Sequence, residues 1–148
     1  MKRIFFLLAD NYSGEENMVS KRTLIAIVVV IIASTSAYAV WTYPRNVVAF
    51  PVVFTAGANI LTQLFSVPML DNQVQVVIAV QSGAAIWTAS ILSNDNNLWS
   101  HTAAQGGQTT YNSGWMLLQS GNYNVSFRTL GFGGVNAQVT ITAKGGPW

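Results

Sequence analysis

The clearest patterning in this chain lies in its last two segments. In residues 122–130, Tyr123, Val125, Phe127 and Thr129 alternate with Asn124, Ser126 and Arg128. In residues 135–144, Val135, Ala137, Val139, Ile141 and Ala143 alternate with Asn136, Gln138, Thr140, Thr142 and Lys144. Successive strand side chains point to opposite faces, so a sustained period of two predicts antiparallel strands with one face in a core and one in water. The same alternation runs through Val74, Val76, Ile78 and Val80, and through Trp87, Ala89 and Ile91. Further strands are predicted over 60–67, 98–102 and 109–118, the last broken at Gly114. Turn chemistry separates them, in Gly57, Asp71-Asn72, Ser82-Gly83, Ser93-Asn94-Asp95-Asn96-Asn97, Ser120-Gly121-Asn122 and Gly131-Phe132-Gly133-Gly134. Gly121 and Gly133 or Gly134 are expected to hold backbone conformations poor for other residues. Residues 103–107 are small and soft, and are expected to form a loop. Residues 47–54, VVAFPVVF, are apolar on both faces and contain Pro51, which marks an edge strand or a bulge. About eight strands at regular spacing predict an all-β fold, a single antiparallel, jelly-roll-like β-sandwich.

The segment before the strands follows a different pattern. Residues 23–40, TLIAIVVVIIASTSAYAV, hold no charge, and Lys21 and Arg22 stand directly before them. A basic flank, an apolar run and small residues at Ala37 and Ala39 are the parts of a secretory signal, with Val40 as the new N-terminus. The rival reading is an uncleaved anchor, since eighteen uncharged residues can just span a membrane as a helix, although Ser34, Thr35 and Ser36 weaken that span and favour cleavage. Either way Lys21 and Arg22 keep the N-terminal side inside, so the strands lie outside the cytoplasm or on the cell surface. If the helix is retained, Trp41, Tyr43 and Arg45 become its interface anchors, and Pro44 stops it. The chain therefore divides into an N-terminal extension with a basic flank (1–22), a signal or anchor helix (23–40) and an extracytoplasmic sandwich (41–148). Residues 1–17 carry Asp10, Glu15 and Glu16 and read as foreign to the rest, with Met18 as the expected true start.

Charge sharpens this picture. Only 8% of the chain is charged, against about 25% in ordinary soluble domains. Beyond Val40 the charged residues are Arg45, Arg128 and Lys144 against Asp71 and Asp95. Three scattered cations make no phosphate-tracking stripe, so nucleic acid is not an expected partner. There is no cysteine, so stability rests on the core or on a partner subunit rather than on disulfides. Low charge also removes repulsion between copies, which favours self-association or contact with envelope proteins. With two carboxylates, the domain is expected to tolerate acid.

The same scarcity argues against an enzyme. Proton transfer needs His101, Asp71 or Asp95, and both aspartates sit in turns that account for them. A lone His beside Trp99 reads as a packed residue. Asn94-Asp95-Asn96-Asn97 supplies one carboxylate, too few for a calcium site, and a copper site lacks its cysteine. No metal or cofactor is expected. Trp87, Trp99, Tyr111 and Trp115 either fill the core or, with nearby Asn and Gln, form a sugar-stacking surface; Trp99, Trp115 and Tyr111 are the stacking candidates. Asn124-Val125-Ser126 is a glycosylation sequon on the predicted wet face.

The run Trp115-Met116-Leu117-Leu118, then Ser120-Gly121, Tyr123, Val125 and Phe127, followed by a glycine turn and Val139-Thr140-Ile141-Thr142, resembles the closing strands of extracellular jelly-roll modules, GOLD-like domains among them. The resemblance covers the last quarter of the chain and implies the fold. A second resemblance is architectural: an apolar N-terminal helix followed by a β-sandwich is similar to archaeal pilins and related surface-filament subunits. That likeness would place the leader junction at Arg22-Thr23, although Ile27 stands where such helices carry an acid. These readings converge on an exported structural protein of the cell envelope, a surface or filament subunit or a membrane-tethered module. The alternative is a carbohydrate-binding or adhesion module using exposed tryptophans. Residues 47–54 are the expected assembly strand, through Val48, Phe50, Val52 and Phe54, with a neighbouring copy or the membrane as the cover.

Overall fold

In the computed structural model the apolar run forms a helix, and the described residues that follow it form mainly strands. The structure describes residues 21–55, 57, 59–104, 108–131 and 133–147. The expectations for residues 1–17 and Met18 lie outside these, as does Phe132 of the last hairpin loop. The chain divides into two units, Met1–Ala37 and Tyr38–Trp148.

Helix α1 runs Lys21–Thr42, 22 residues, or about 33 Å at 1.5 Å per residue. It is long and apolar enough to cross a membrane. Three of its hydroxyls bond to backbone carbonyls one turn earlier, those of Ser34, Thr35 and Thr42. Ser34 and Thr35 donate their hydroxyls to the Ile31 carbonyl at 3.0 and 2.9 Å, so neither carries an unsatisfied group on an apolar surface. Ala37, Ala39 and Val40 lie within this continuous helix and are exposed.

Among the described residues the Tyr38–Trp148 unit holds nine strands: β1 (Arg45–Phe54), β2 (Ile60–Val67), β3 (Gln73–Gly83), β4 (Ile86–Ser93), β5 (Asn96–Ala104), β6 (Thr109–Asn112), β7 (Met116–Leu117), β8 (Gly121–Leu130) and β9 (Val135–Lys144). One sheet has the order β1-β9-β3-β6, with β7 also on β3, and the other β2-β8-β4-β5. Every pairing is antiparallel. Strands β6 and β7 pair with successive parts of β3, so they act as one edge strand broken near Gly114. Counting them once leaves two four-stranded sheets whose consecutive strands alternate between sheets except at the β4–β5 hairpin, the jelly-roll arrangement of two Greek keys.

Alternation decides what is inside. Val74, Val76, Ile78 and Val80 of β3 and Val135, Ala137, Val139, Ile141 and Ala143 of β9 are buried from one sheet. Trp87, Ala89 and Ile91 of β4 and Tyr123, Val125, Phe127 and Thr129 of β8 are buried from the other. Trp87 and Phe127 stack at 5.4 Å in the middle. The β4–β5 loop is tighter than the five polar residues suggested. Ser93 pairs with Asn96, and Asn94 and Asp95 take φ of 47° and 65°, a two-residue turn that needs positive φ at both positions. Strand β5 is longer than residues 98–102, because its ladder with β4 continues to Ala104 opposite Ile86. The β8–β9 glycines are required for two different reasons. Gly131 has φ of 102°, whereas a Cβ on Gly134 would fall on the carbonyl oxygens of Phe54 and Thr55.

Candidate functional site

Three regions of the Tyr38–Trp148 unit could carry function: an aromatic seam, the free edge at β1, and the end of the sandwich beside Trp41.

The seam forms where the two sheets meet at β5 and β6. Trp99 and His101 share the inner face of β5, because they are two residues apart. Tyr111 reaches them from β6. Its ring stacks on His101 at 3.6 Å and 15° and on Trp99 at 6.2 Å and 29°. Trp87 meets both His101, at 5.5 Å, and Tyr111, at 6.4 Å. The seam thus joins two of the three stacking candidates, but their faces are spent largely on one another. Trp115 has a different neighbour, the Lys144 ammonium, 4.3 Å from the ring centroid. It is 37% exposed. No ring contact links Trp115 to Trp99 or Tyr111 among the described residues. His101 has no acid beside it in this seam, and no group of three His, Cys, Asp or Glu side chains could hold a metal ion among the described residues.

At the opposite side of the same sheet lies β1, an edge strand that pairs with β9. A bulge between Asn46 and Val48 sets its phase. Phe50 and Val52 are buried in the chain's own core, and Val48 and Phe54 pack against it. The four residues named from sequence therefore point inward. The face and edge that a neighbouring copy would meet are those of Ala49, Pro51 and Val53, all exposed.

The third region is held by contacts that sequence reasoning missed. Arg45 opens β1 and grips Asp71 of the β2–β3 loop, donating from Nη2 to Oδ1 and from Nε to Oδ2 at 3.2 Å. The Asp71 side chain is fully buried, whereas that of Arg45 is half exposed. The hydrogen bond to Asp71, and then its charge, hold the guanidinium above its ordinary pKa. Beside this pair, the Trp41 indole N–H donates to the Leu70 carbonyl, and the Gly145 N–H donates to the Trp41 carbonyl at 2.9 Å. A Cβ at residue 145 would fall on the indole ring. Asn72 and Gln73 side-chain amides donate to the Gly146 and Pro147 carbonyls at 2.9 and 3.0 Å, tying down the C-terminal tail. Asp71 looked like a turn residue because its partner is 26 positions away; no local signal could have paired them.

Asn124 is exposed on β8, between Leu64 and Leu92 of the flanking strands.

No protein-family model matches this sequence, and no curated protein is significantly similar to it. Similar solved structures are distant in sequence. A carbohydrate-binding module of Cellvibrio mixtus lichenase 5A, in complex with cellotriose, is 12% identical with a TM-score of 0.42, over 68% of this chain and 86% of that one. A Bacillus endospore appendage described as a disulfide-linked pilus is 13% identical with a TM-score of 0.39, over 70% and 88%. The infectious bursal disease virus VP2 subviral particle is 9% identical with a TM-score of 0.37, over 72% of this chain and 34% of that one.

Proposed function

We propose that this chain is an exported structural protein of the cell envelope, whose jelly-roll domain assembles with copies of itself through the free edge of β1. The observation that carries the reading is that edge. Among the described residues β1 pairs with β9 alone, its outward residues Ala49, Pro51 and Val53 carry no charge, and Val53 is 66% exposed. An edge strand offers unpaired N–H and C=O groups to another strand, and proteins commonly blunt such edges with charge. Pro51 removes one donor but leaves the rest. A domain with five charged residues puts little repulsion in the way. The scarcity of proton-transfer groups supports a non-enzymatic role, and Lys21 and Arg22 at the start of α1 support display outside the cytoplasm.

Export is tested by labelling intact cells with an amine reagent that does not cross membranes. Lys144 is the one lysine beyond Lys21, and peptide mapping separates its label from that of an N-terminal amine. The proposal expects Lys144 to be modified in intact cells; modification only after lysis contradicts it. Intact mass of the native protein then separates a start at Val40 from a retained α1.

The second reading is a carbohydrate-binding or adhesion module. It is supported by the exposed Trp115 ring beside Lys144 and by the half-buried Trp99. A glycan array is its test: binding lost on Trp115→Ala with the melting temperature unchanged would favour it over assembly.

A further inference from the structure

The geometry points to a second contact surface at the end of the sandwich: we infer that the Pro68-Met69-Leu70 turn, with Val40 and Tyr43, docks on a phospholipid bilayer. This rests on the reading in which α1 stays in the membrane. Met69 is 90% exposed and Leu70 71%, with Tyr43 at 73% and Val40 at 70%. A water-facing turn ordinarily uses Asn, Asp, Gly or Ser, as the β4–β5 turn does with Asn94 and Asp95. Here Met and Leu take those places.

The turn is rigid, so their exposure is built in. Asp71 N–H donates to the Pro68 carbonyl at 2.9 Å, the Asp71 carboxylate is held by Arg45, and the Leu70 carbonyl accepts from the Trp41 indole. That last contact fixes the turn beside the final turn of α1, where Tyr38 and Trp41 meet edge to face at 5.9 Å. Aromatic rings of this amphipathic kind collect at the level of lipid headgroups. A shallow cleft of about 390 Å³ lined by Ala39, Val40, Tyr43 and Arg45 adjoins them. Its lining is mostly apolar, and its one charged lining residue, Arg45, is already paired with Asp71. The carboxylate nearest this patch, Asp71, is neutralised by Arg45, so the pair presents no net charge to the headgroups. A lipid surface fits this combination better than a second copy of the chain. Only Tyr43 and Pro44 separate α1 from β1, so a patch beside Trp41 cannot stand far from a bilayer that holds the helix.

The absence of cysteine makes the test direct. Single cysteines replace Met69, Leu70, Thr110 on an exposed strand position, and Val29 in α1. Each carries a nitroxide, and the full chain is placed in phosphatidylcholine–phosphatidylglycerol nanodiscs. Collision rates are read with oxygen, which concentrates in lipid, and with a water-soluble nickel chelate. The expected result is a several-fold lower chelate rate at 69 and 70 than at 110, with oxygen rates as high as in lipid. Chelate rates at 69 and 70 equal to that at 110, with Val29 shielded, would overturn docking while leaving the anchor intact. Low rates with both reagents would mean a protein cover instead, and would also overturn it. Chelate access at Val29 would remove the retained anchor and this inference together.

Discussion

Arg45 and Asp71 form a two-pronged ion pair that locks the start of β1 to the loop between β2 and β3. The carboxylate is buried and the guanidinium half exposed. Replacing Asp71 by Asn keeps the shape but removes the charge and puts an N–H donor in place of one acceptor oxygen, so at most one of the two hydrogen bonds from Arg45 survives. Thermal unfolding of Asp71→Asn should show a melting temperature lower by several degrees. Arg45→Lys should recover only part of the wild-type value, because an ammonium cannot match both oxygens.

The pair also gives the pH dependence its direction. The raised pKa of Arg45 means that its contribution is complete at every ordinary pH and is lost only in strong alkali. The few carboxylates beyond Val40 predict a fold that resists acid. Circular dichroism should show the fold retained at about pH 4; cooperative unfolding between about pH 5 and 3 would contradict this.

At Gly134 the constraint is space. A methyl group there meets the Phe54 and Thr55 carbonyls, so Gly134→Ala should cost about 1–3 kcal/mol through displacement of the β1–β2 loop. At Gly121 a Cβ would find only the Tyr123 ring, at 3.7 Å, although φ is 157° there. Denaturant titration should rank Gly134→Ala as the more damaging of the two alanine variants.

The tryptophans should separate by role. Trp99 shares the seam with Tyr111 and His101, so Trp99→Ala should lower stability by about 1–3 kcal/mol. Trp115→Ala, at a more exposed ring, should cost under about 1 kcal/mol. Urea unfolding of the two variants checks the order.

Much of this architecture was legible in the chain. In β8 and β9 one face is mainly apolar and the other polar, and a slip of one residue would bury Asn, Gln or Arg128, so the inward set is forced; β3 and β4 keep an apolar inner face against a mixed outer one. Residues 47–54 lack that contrast. With both faces apolar, the pattern could not decide between Phe50 and Ala49, and the bulge at Asn46/Val48 that decides it leaves no mark in composition. The Arg45–Asp71 and Trp41–Gly145 contacts were hidden for another reason. Each joins residues far apart in the chain, and each member looks ordinary alone: an interface arginine, a turn aspartate, a tail glycine. The aromatic seam was half visible. Alternation placed Trp99 with His101, but Tyr111 comes from the opposite sheet, and only the jelly-roll crossover brings it there.

Assembly through β1 is the central claim, and the state of association of the purified full chain tests it most directly. Light scattering in detergent, with the detergent mass subtracted, should give a multimer for wild type. Val53→Lys places a charge on the outward face, so it should shift the protein toward monomer with an unchanged melting temperature. A wild-type chain that stays monomeric at high concentration, or a multimer indifferent to Val53→Lys, would contradict the claim.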